Sequence, residues 1–438
     1  MAKTFRSWDV DQIMLLPPSV QELVPWGHVA HFIRETVRES LDLSSILGSY
    51  TEERGFPPYD PTMMTALLLY SYTQGIYSSR RMARACEERV DFMAVTALQQ
   101  PDFRTINEFR KRHLQALGEL FVQVLQLCRE AGLVKLGHVA LDGTKIRANA
   151  SKHKAMSYER MQKAEQELAA EVEGWFEKAQ AVDGEEDDTF GAEKRGDELP
   201  DWVRNKQQRL AKIRAAKEAL EKEAKVQDPP PPDDSDKPRR GRPRKHPPGV
   251  PKPEAQRNFT DPESRIMKTA EGFQQCYNAQ AAVDAESQVI VARDVTQSAS
   301  DRNQLKALVE QIEANTGHNP TELSADAGYC SEENLEELER RKIRGYVATG
   351  KQQHGQPAPA AARLSKGKRT QQMKRRLQCG GYRSRYRLRK QTAEPVFGQI
   401  KAARGFRTLL LRGVEKVTDE WSLVCTAHNL LKLAANRA

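Results

Sequence analysis

The pattern of hydrophobic and polar positions divides the chain into a helical first part and a mixed second part. Up to about residue 130, apolar residues recur at the three- and four-residue spacing of amphipathic helices, as in LVPWGHVAHFIRETV and PTMMTALLLYSYTQGI. A further segment, FRTINEFRKRHLQALGELFVQVLQLCREAG, opens with a capping box formed by Thr105 and Glu108. The pattern therefore predicts an all-helical region over residues 1–130.

Four basic residues surround this predicted helix start: Arg104, Arg110, Lys111 and Arg112. Short helices that carry such residues are typical of a helix-turn-helix-like reader of DNA. A helical bundle whose arginines face water has the same pattern. Both interpretations remain open from the sequence.

A strand with a carboxylate at its centre begins near residue 136. In LGHVALDGTKIRAN, Val139, Leu141 and Thr144 alternate about Asp142. An aspartate inside an apolar strand is unfavourable unless it binds something. Asp142 is therefore a candidate ligand.

Strand patterns resume after residue 265. QCYNAQAAVD and QVIVARDVTQ alternate as two strands of a hairpin that turns at residues 285–287. A helix is then expected from Asp301. ELSADAGYCSEENLEELERRK predicts a strand, a turn and a helix, and it places Asp326 just past the strand.

Residues 156–265 interrupt this second part. SYERMQKAEQELAAEVEGWFEKA and WVRNKQQRLAKIRAAKEALEKEAK predict a charged helical hairpin arm, and DPPPPDDSDKPRRGRPRKHPPGVPKP is typical of an extended, disordered segment. Its core of Arg240, Gly241, Arg242 and Pro243 is similar to the AT-hook, whose arginines lie in the minor groove of A·T-rich DNA. A flexible linker with solubilising charge is the alternative.

Near the C-terminus, one carboxylate stands among many cations. Thr392 is placed to cap a helix with Glu394 in its first turn, where Pro395 is tolerated. Lys401 lies two helical turns after Glu394 and on the same face. Residues 361–390 contain twelve Lys or Arg and no Asp or Glu, which favours contact with phosphates. The closing helix, EWSLVCTAHNLLKLAA, contains His428, which we interpret as a core histidine with satisfied hydrogen bonds.

Composition narrows the class of partner. The 438 residues include 69 Lys or Arg and 60 Asp or Glu, and a net charge of +9 fits an anionic polymer. The chain has no run of about 18 apolar residues and no apolar N-terminal segment, so we expect a cytoplasmic protein without a membrane partner. The six scattered cysteines lack metal-ligand spacing and are interpreted as reduced thiols.

The three singled-out carboxylates come from Asp142 on a first strand, Asp326 at the end of a later strand, and Glu394 on a helix. If the first and fourth strands of the sheet are neighbours, the three side chains converge at one end of it. Converging carboxylates repel each other unless they bind cations, and oxygen ligands suit Mg²⁺ or Mn²⁺. Two such ions about 4 Å apart can support phosphoryl transfer.

Five motifs occur in the order LDGTKIRANAS, TDPESRIMKT, YNAQAAVD, SADAGY and EPVFGQIKAARGFR. With them the chain resembles the DDE transposases of bacterial insertion sequences, and its helical part from about residue 5 to 113 is similar to the domain that precedes catalysis in those enzymes. The resemblance covers nearly the whole chain apart from about 180–255. It implies an α/β RNase H-like catalytic domain, a mixed sheet with flanking helices, formed by residues 131–155 and 266–438. The insert of residues 156–265 interrupts it, and an all-α DNA-binding domain over residues 1–130 precedes it.

The resemblance also implies roles for individual residues. Asp142, Asp326 and Glu394 match the catalytic, metal-binding triad, which holds Mg²⁺ or Mn²⁺ as two ions. Lys401 matches a lysine that contacts DNA phosphate. Related enzymes have an arginine three residues after a tyrosine and a glutamate four residues later. Here Arg389 comes three residues after Tyr386, whereas Lys390 is the residue four before Glu394, so either cation can match that arginine. The remaining candidate DNA contacts are Tyr386, Arg389, Lys390, Lys145, Arg404, Arg240 and Arg242.

The implied activity is DNA transposition. Such an enzyme binds double-stranded DNA at terminal inverted repeats, cuts the element's ends and joins the freed 3′-hydroxyls to target DNA. Two ends must be brought together, so we expect a homodimer or higher oligomer on nucleoid DNA, without a small-molecule cofactor. A relic that binds DNA without catalysis and an RNase H-like nuclease without strand transfer are the alternatives.

Overall fold

The computed structural model describes residues 19–51, 58–190, 201–227, 247–350, 367–380 and 385–437. Arg240 and Arg242, and with them the AT-hook-like segment, lie outside these ranges. The predicted fold class is confirmed, because a mixed sheet with flanking helices follows a helical first part. None of the described helices combines the length and the apolar composition needed to cross a bilayer.

The first part contains seven helices within the described residues. They are α1 (Val29–Glu39), α2 (Ser44–Leu47), α3 (Pro61–Thr73), α4 (Ser79–Glu88), α5 (Val90–Thr96), α6 (Phe103–Arg112) and α7 (Leu114–Glu130).

Two of these helices begin at aspartate caps. The side chain of Asp60 accepts a hydrogen bond from the backbone N–H of Thr62 (2.7 Å), with Pro61 at the first helical position. The predicted capping box of Thr105 and Glu108 is wrong. Asp102 instead accepts from the backbone N–H of Arg104 (2.6 Å) and of Thr105 (3.2 Å), so α6 begins earlier.

The second part contains eight strands and seven further helices within the described residues. The strands are β1 (His138–Arg147), β2 (Ala155–Ser157), β3 (Gln256–Asn258), β4 (Arg265–Thr269), β5 (Gly272–Asp284), β6 (Ile290–Thr296), β7 (Glu322–Ala325) and β8 (Arg344–Val347). The helices are α8 (Tyr158–Phe190), α9 (Asp201–Gln227), α10 (Gln304–Thr316), α11 (Glu332–Arg340), α12 (Lys368–Gly380), α13 (Leu388–Gly398) and α14 (Val414–Arg437). Short 3₁₀ turns cover Lys152–Lys154, Ala327–Tyr329 and Arg385–Arg387, and a π-helical segment covers Gln399–Ala403.

The main sheet has the order β4-β5-β1-β7-β8, and β6 also pairs with β5. β5 is antiparallel to β1, β4 and β6, so the predicted hairpin of β5 and β6 is confirmed. β7 is parallel to both β1 and β8. The fourth strand expected from the sequence, ELSA, is β7 in the structure. The expectation that it neighbours the first strand is also confirmed, because β1 and β7 pair directly.

One hydrophobic core runs through the helical part and the sheet. α14 contacts α3 and α7 as well as β6. Buried side chains of this core include Leu67 in α3, Phe121 in α7, Val283 in β5 and Trp421 in α14. The division near residue 130 therefore marks a change of secondary structure and not a break in the core.

The helical arm is confirmed as two packed helices. α8 and α9 share a small core of their own, which includes Met161 and Ile213. At the base of the arm, Glu223 accepts hydrogen bonds from Arg257 in β3 (2.6 Å) and from Arg265 in β4 (3.0 Å). The arm is thus fixed to the edge of the sheet.

Candidate active site

The register of two parallel strands brings the first two carboxylates together. Leu141 in β1 is paired with Ala325 in β7. Asp142 follows Leu141, and Asp326 follows Ala325. Because paired strands lie about 4.8 Å apart, the two aspartates are neighbours. Accordingly, the charge of Asp326 is one of the factors that raise the pKa of Asp142.

The helix that carries Glu394 begins earlier than the sequence predicted. α13 starts at Leu388, and the hydroxyl of Thr392 donates to the Leu388 carbonyl (2.7 Å), so Thr392 lies inside the helix and is not its cap. Glu394 is therefore not in the first turn. Pro395 has no N–H for the Gln391 carbonyl one turn earlier. The amide of Gln288 donates to that carbonyl instead (3.0 Å), which allows the proline inside the helix.

Arg389 joins the strand carboxylate to the helix carboxylate. It donates from Nη2 to Asp142 Oδ1 (2.9 Å), and its Nη1 lies 3.6 Å from Glu394 Oε1. The side chain of Arg389 is 14% exposed, whereas Lys390 is exposed. Of the two cations that the sequence left open, Arg389 is therefore the one beside the carboxylates. Tyr386 forms a hydrogen bond with Arg389, and burial raises the pKa of the Tyr386 hydroxyl.

Burial dominates the electrostatics of Asp142. It raises the pKa of this carboxyl to about 6, although Arg389 and the N–H of Gly143 (3.0 Å) both favour the ionised form. A carboxylate that is costly to ionise and lies beside a second one suits a hard divalent cation. As the side chains stand, no three His, Cys, Asp or Glu residues of the described segments are grouped closely enough to hold a metal ion. Arg389 lies between Asp142 and Glu394 instead.

A fourth carboxylate, Asp301, lies behind this site. Its Oδ1 accepts hydrogen bonds from the amides of Asn278 (2.6 Å) and Gln280 (2.7 Å) in β5. Gln280 in turn accepts from the Tyr329 hydroxyl. The sequence pointed to Asp301 only as a helix start. The signal was present in YNAQAAVD, where two amides alternate on one face of a buried strand and need a polar partner.

Two glycines leave room for this polar layer. A Cβ at Gly328 would lie 2.9 Å from Asp326 Oδ1 and 3.0 Å from Asp301 Oδ2. A Cβ at Gly143 would collide with the Gln280 amide and lie 2.9 Å from Asp301 Oδ1. The backbone next to both candidate aspartates, Asp142 within β1 and Asp326 just after β7, is therefore packed against Asp301.

Two of the three lysines predicted to contact DNA are at β1: Lys145 lies within it, and Lys401 contacts it. Lys401 donates from Nζ to the Thr144 hydroxyl (2.5 Å) and to the Lys145 carbonyl (2.9 Å), and burial lowers its pKa. Because Lys401 lies in the π-helical segment, no regular α-helix spans the seven residues after Glu394. Lys145 donates to the Ala299 carbonyl (2.9 Å) and lies 3.8 Å from Asp301.

Arg404 is not brought to the carboxylates. Its Nη2 lies 2.9 Å from Nδ1 of His428, and its Nε donates to the Gln399 carbonyl (3.3 Å). His428 also contacts the Gln288 carbonyl through Nε2 (2.9 Å) and is 1% exposed. The interpretation of His428 as a satisfied core histidine is confirmed.

In the helical part, the structure separates structural from exposed arginines. Arg110 is 4% exposed and donates to the Tyr77 carbonyl (2.9 Å), so this arginine neither faces water nor is free to contact DNA. Arg104 is exposed and, with Arg80, flanks the ring of Phe103 at 5.7 and 5.1 Å. A helix-turn-helix-like role for α4 and α6 therefore rests on exposed residues other than Arg110.

Comparisons with protein-family models cover most of the chain. A model described as a transposase DDE domain matches residues 200–430, and a second model, described as a transposase domain, matches residues 18–112. Asp326 and Glu394 lie within the first match, and Asp142 lies between the two. Searches of curated proteins and of solved structures gave no match. Since the DDE model spans more than half of the 438 residues, the chain belongs to the DDE transposase family.

Proposed function

We propose that this chain is a DNA transposase that cuts the ends of its element and joins them to target DNA, with Asp142, Asp326 and Glu394 as its catalytic carboxylates. The observation that carries the proposal is the parallel register of β1 and β7, after which Asp142 and Asp326 are adjacent residues of neighbouring strands. Glu394 reaches the same place through Arg389, which contacts both Asp142 and Glu394. Membership of the transposase family supports the reaction class.

The three carboxylates would hold two Mg²⁺ or Mn²⁺ ions, which supply activation of the attacking oxygen and stabilisation of the leaving oxygen in phosphoryl transfer. Asp142 would take part in holding the ions, because Asp326 lies beside it and Arg389 links it to Glu394. Its burial strengthens every charge interaction at the site. Lys401, fixed on β1 by two hydrogen bonds, supplies a positive charge for the DNA backbone without losing further side-chain freedom.

The proposed DNA surface extends from the carboxylates along exposed cations. Lys390 and two exposed arginines of α12, Arg375 and Arg376, belong to the basic tract, and we extend the proposed surface to Arg80 on α4 and Arg104 on α6. We assign recognition of terminal repeats to the helical part, a supporting role to Tyr386 and Lys145, and minor-groove contact to Arg240 and Arg242. The protein would act on nucleoid DNA as a dimer or higher oligomer, because two ends take part in one reaction.

The test is cleavage and joining of labelled element-end DNA with Mg²⁺ or Mn²⁺, comparing the wild type with Glu394→Gln. Glu415→Gln is the matched control, since Glu415 is an exposed glutamate at the start of α14. We expect Glu394→Gln to bind DNA but neither to cut nor to join it, and Glu415→Gln to do all three. Cutting without joining by the wild type would indicate a nuclease, and binding without cutting would indicate a relic.

A further inference from the structure

Arg389 lies where it can control access to the triad. Its guanidinium bridges Asp142 Oδ1 (2.9 Å) and Glu394 Oε1 (3.6 Å), which come from β1 and α13. The side chain is 14% exposed, and its buried Nε has no hydrogen-bond acceptor among the described residues. The arginine is thus held at this place by the two carboxylates and by Tyr386, with one of its donors unsatisfied.

A divalent cation and this guanidinium need the same oxygens. Oδ1 of Asp142 already accepts from Arg389 and from the N–H of Gly143 (3.0 Å). A cation shared by Asp142 and Glu394 would also lie within a few ångströms of the arginine's charge, and repulsion at that distance in a buried site is strong. The two cations therefore compete for one position.

We infer that Arg389 excludes the metal ions from Asp142 until a DNA phosphate draws its guanidinium away, so that metal loading is coupled to DNA binding. This inference rests on the proposed function. A phosphate offers the arginine a bidentate partner of the kind it prefers, and it can also satisfy the Nε hydrogen that is now unpaired. Carboxylates freed in this way become available to the cations only when substrate is present.

The test is Mn²⁺ affinity in the absence of DNA, measured by the paramagnetic resonance signal of free Mn²⁺, for the wild type and Arg389→Gln. Lys390→Gln is the matched control, because it removes the same charge from the next, exposed position of the helix. Asp142→Asn reports whether the measured ion binds at the triad. Thermal melts of all four proteins establish that each is folded.

We expect Arg389→Gln to bind Mn²⁺ roughly tenfold to a hundredfold more tightly than the wild type, the range that follows from losing one charged hydrogen bond as a competitor. Lys390→Gln should stay within about twofold of the wild type, since exposed charges contribute little. Adding duplex DNA should tighten Mn²⁺ binding by the wild type and leave Arg389→Gln nearly unchanged, after subtraction of the signal that Asp142→Asn gives with the same DNA.

Three results would overturn the inference or the proposed metal site. If Asp142→Asn abolishes Mn²⁺ binding but Arg389→Gln binds no more tightly than the wild type, Arg389 is not a competitor and the inference is wrong. If Asp142→Asn titrates like the wild type, the ion does not bind at the triad and the proposed function itself loses its metal site. Equal tightening by Arg389→Gln and Lys390→Gln would also refute the inference, because it would reflect net charge alone.

Discussion

Replacing Asp142 by asparagine should stabilise the metal-free protein at neutral pH. Burial raises the pKa of this carboxyl from 3.8 to about 6, a value that already includes the opposing effect of Arg389. The difference corresponds to roughly 3 kcal/mol by which ionised Asp142 destabilises the folded state. Asparagine has nearly the same shape and does not ionise, so Asp142→Asn should recover about 1–3 kcal/mol at pH 7.

The sign of the pH dependence follows from the direction of this pKa difference. Below about pH 4, Asp142 is protonated in both the folded and the unfolded chain, and the variant gains nothing. As the pH rises from about 4 to 6, the unfolded chain ionises first, so the free energy of unfolding of the wild type falls relative to that of the variant. Above about pH 6 the advantage of the variant is complete.

The assay is urea unfolding in metal-free buffer at pH 4, 5, 6 and 7, followed by tryptophan fluorescence. Glu394→Gln is the control, since its side chain is 50% exposed and its replacement should change the free energy of unfolding by less than about 0.5 kcal/mol. An Asp142→Asn protein that is no more stable than the wild type at pH 7 would refute the argument from burial. A gain of equal size at pH 4 and pH 7 would show that the gain does not come from ionisation.

Four further substitutions test other parts of the structure. Burial lowers the pKa of His428 to about 3, so on acidification the unfolded chain binds this proton first, and the free energy of unfolding falls between pH 6.5 and 3. His428→Gln should reduce the slope of that fall by about 1.4 kcal/mol per pH unit, measured by urea unfolding between pH 4.5 and 6. Arg110→Met should lower the free energy of unfolding by about 1–3 kcal/mol, because it leaves the Tyr77 carbonyl unpaired, and it should not change the salt dependence of DNA binding. Arg104→Gln should do the opposite: it should reduce the salt dependence of DNA binding and leave the melting temperature nearly unchanged. Gly328→Ala should cost about 1–3 kcal/mol and weaken Mn²⁺ binding, because its Cβ would press on Asp326 and Asp301; a variant with unchanged Mn²⁺ affinity would show that this contact does not position the carboxylates.

The strand carboxylates could be predicted from the sequence because their signal is local. Asp142 interrupts a strand of alternating apolar residues, and Asp326 directly follows one, so each is visible within about ten residues of chain. Their adjacency needed one further assumption, that the first and fourth strands are neighbours. The parallel pairing of β1 with β7 supports that assumption, and the rest of the sheet order follows from the pairing of the other strands.

The helix that carries Glu394 could not be predicted at its start because the deciding contact is distant in sequence. Thr392 and Pro395 have the local pattern of a helix N-terminus. The helix nevertheless begins at Leu388, since Gln288, more than a hundred residues away, binds the carbonyl that Pro395 leaves unpaired. With this start, residues 389 and 390 both belong to the helix, and it is Arg389 rather than Lys390 that contacts Asp142.

The same reason explains why the sequence left the role of Arg110 open and why Asp301 was overlooked. An arginine in a basic cluster has the sequence pattern of a surface residue, and only the fold brings the Tyr77 carbonyl to Arg110. Asp301 begins a helical pattern like many other aspartates, and only the β5 strand supplies the two amides that hold it. Polar groups that find long-range partners are thus the residues that local patterns fail to predict.

The shared core has a consequence for how function can be dissected. The side chain of Tyr77, in the turn between α3 and α4, packs edge-on against Phe406 (4.9 Å), and Phe406 in turn stacks near Trp421 (6.5 Å). The indole of Trp421 donates to the Gln280 carbonyl (3.0 Å), and the Gln280 side chain binds Asp301 beside the proposed triad. Removing residues 1–130 would therefore expose the face of α14 that α3 and α7 cover, and it would withdraw a packing layer next to the proposed active site. A catalytic fragment cut at residue 131 would report on the lost core rather than on the chemistry, so the roles of the helical part are better separated by point substitutions such as Arg104→Gln.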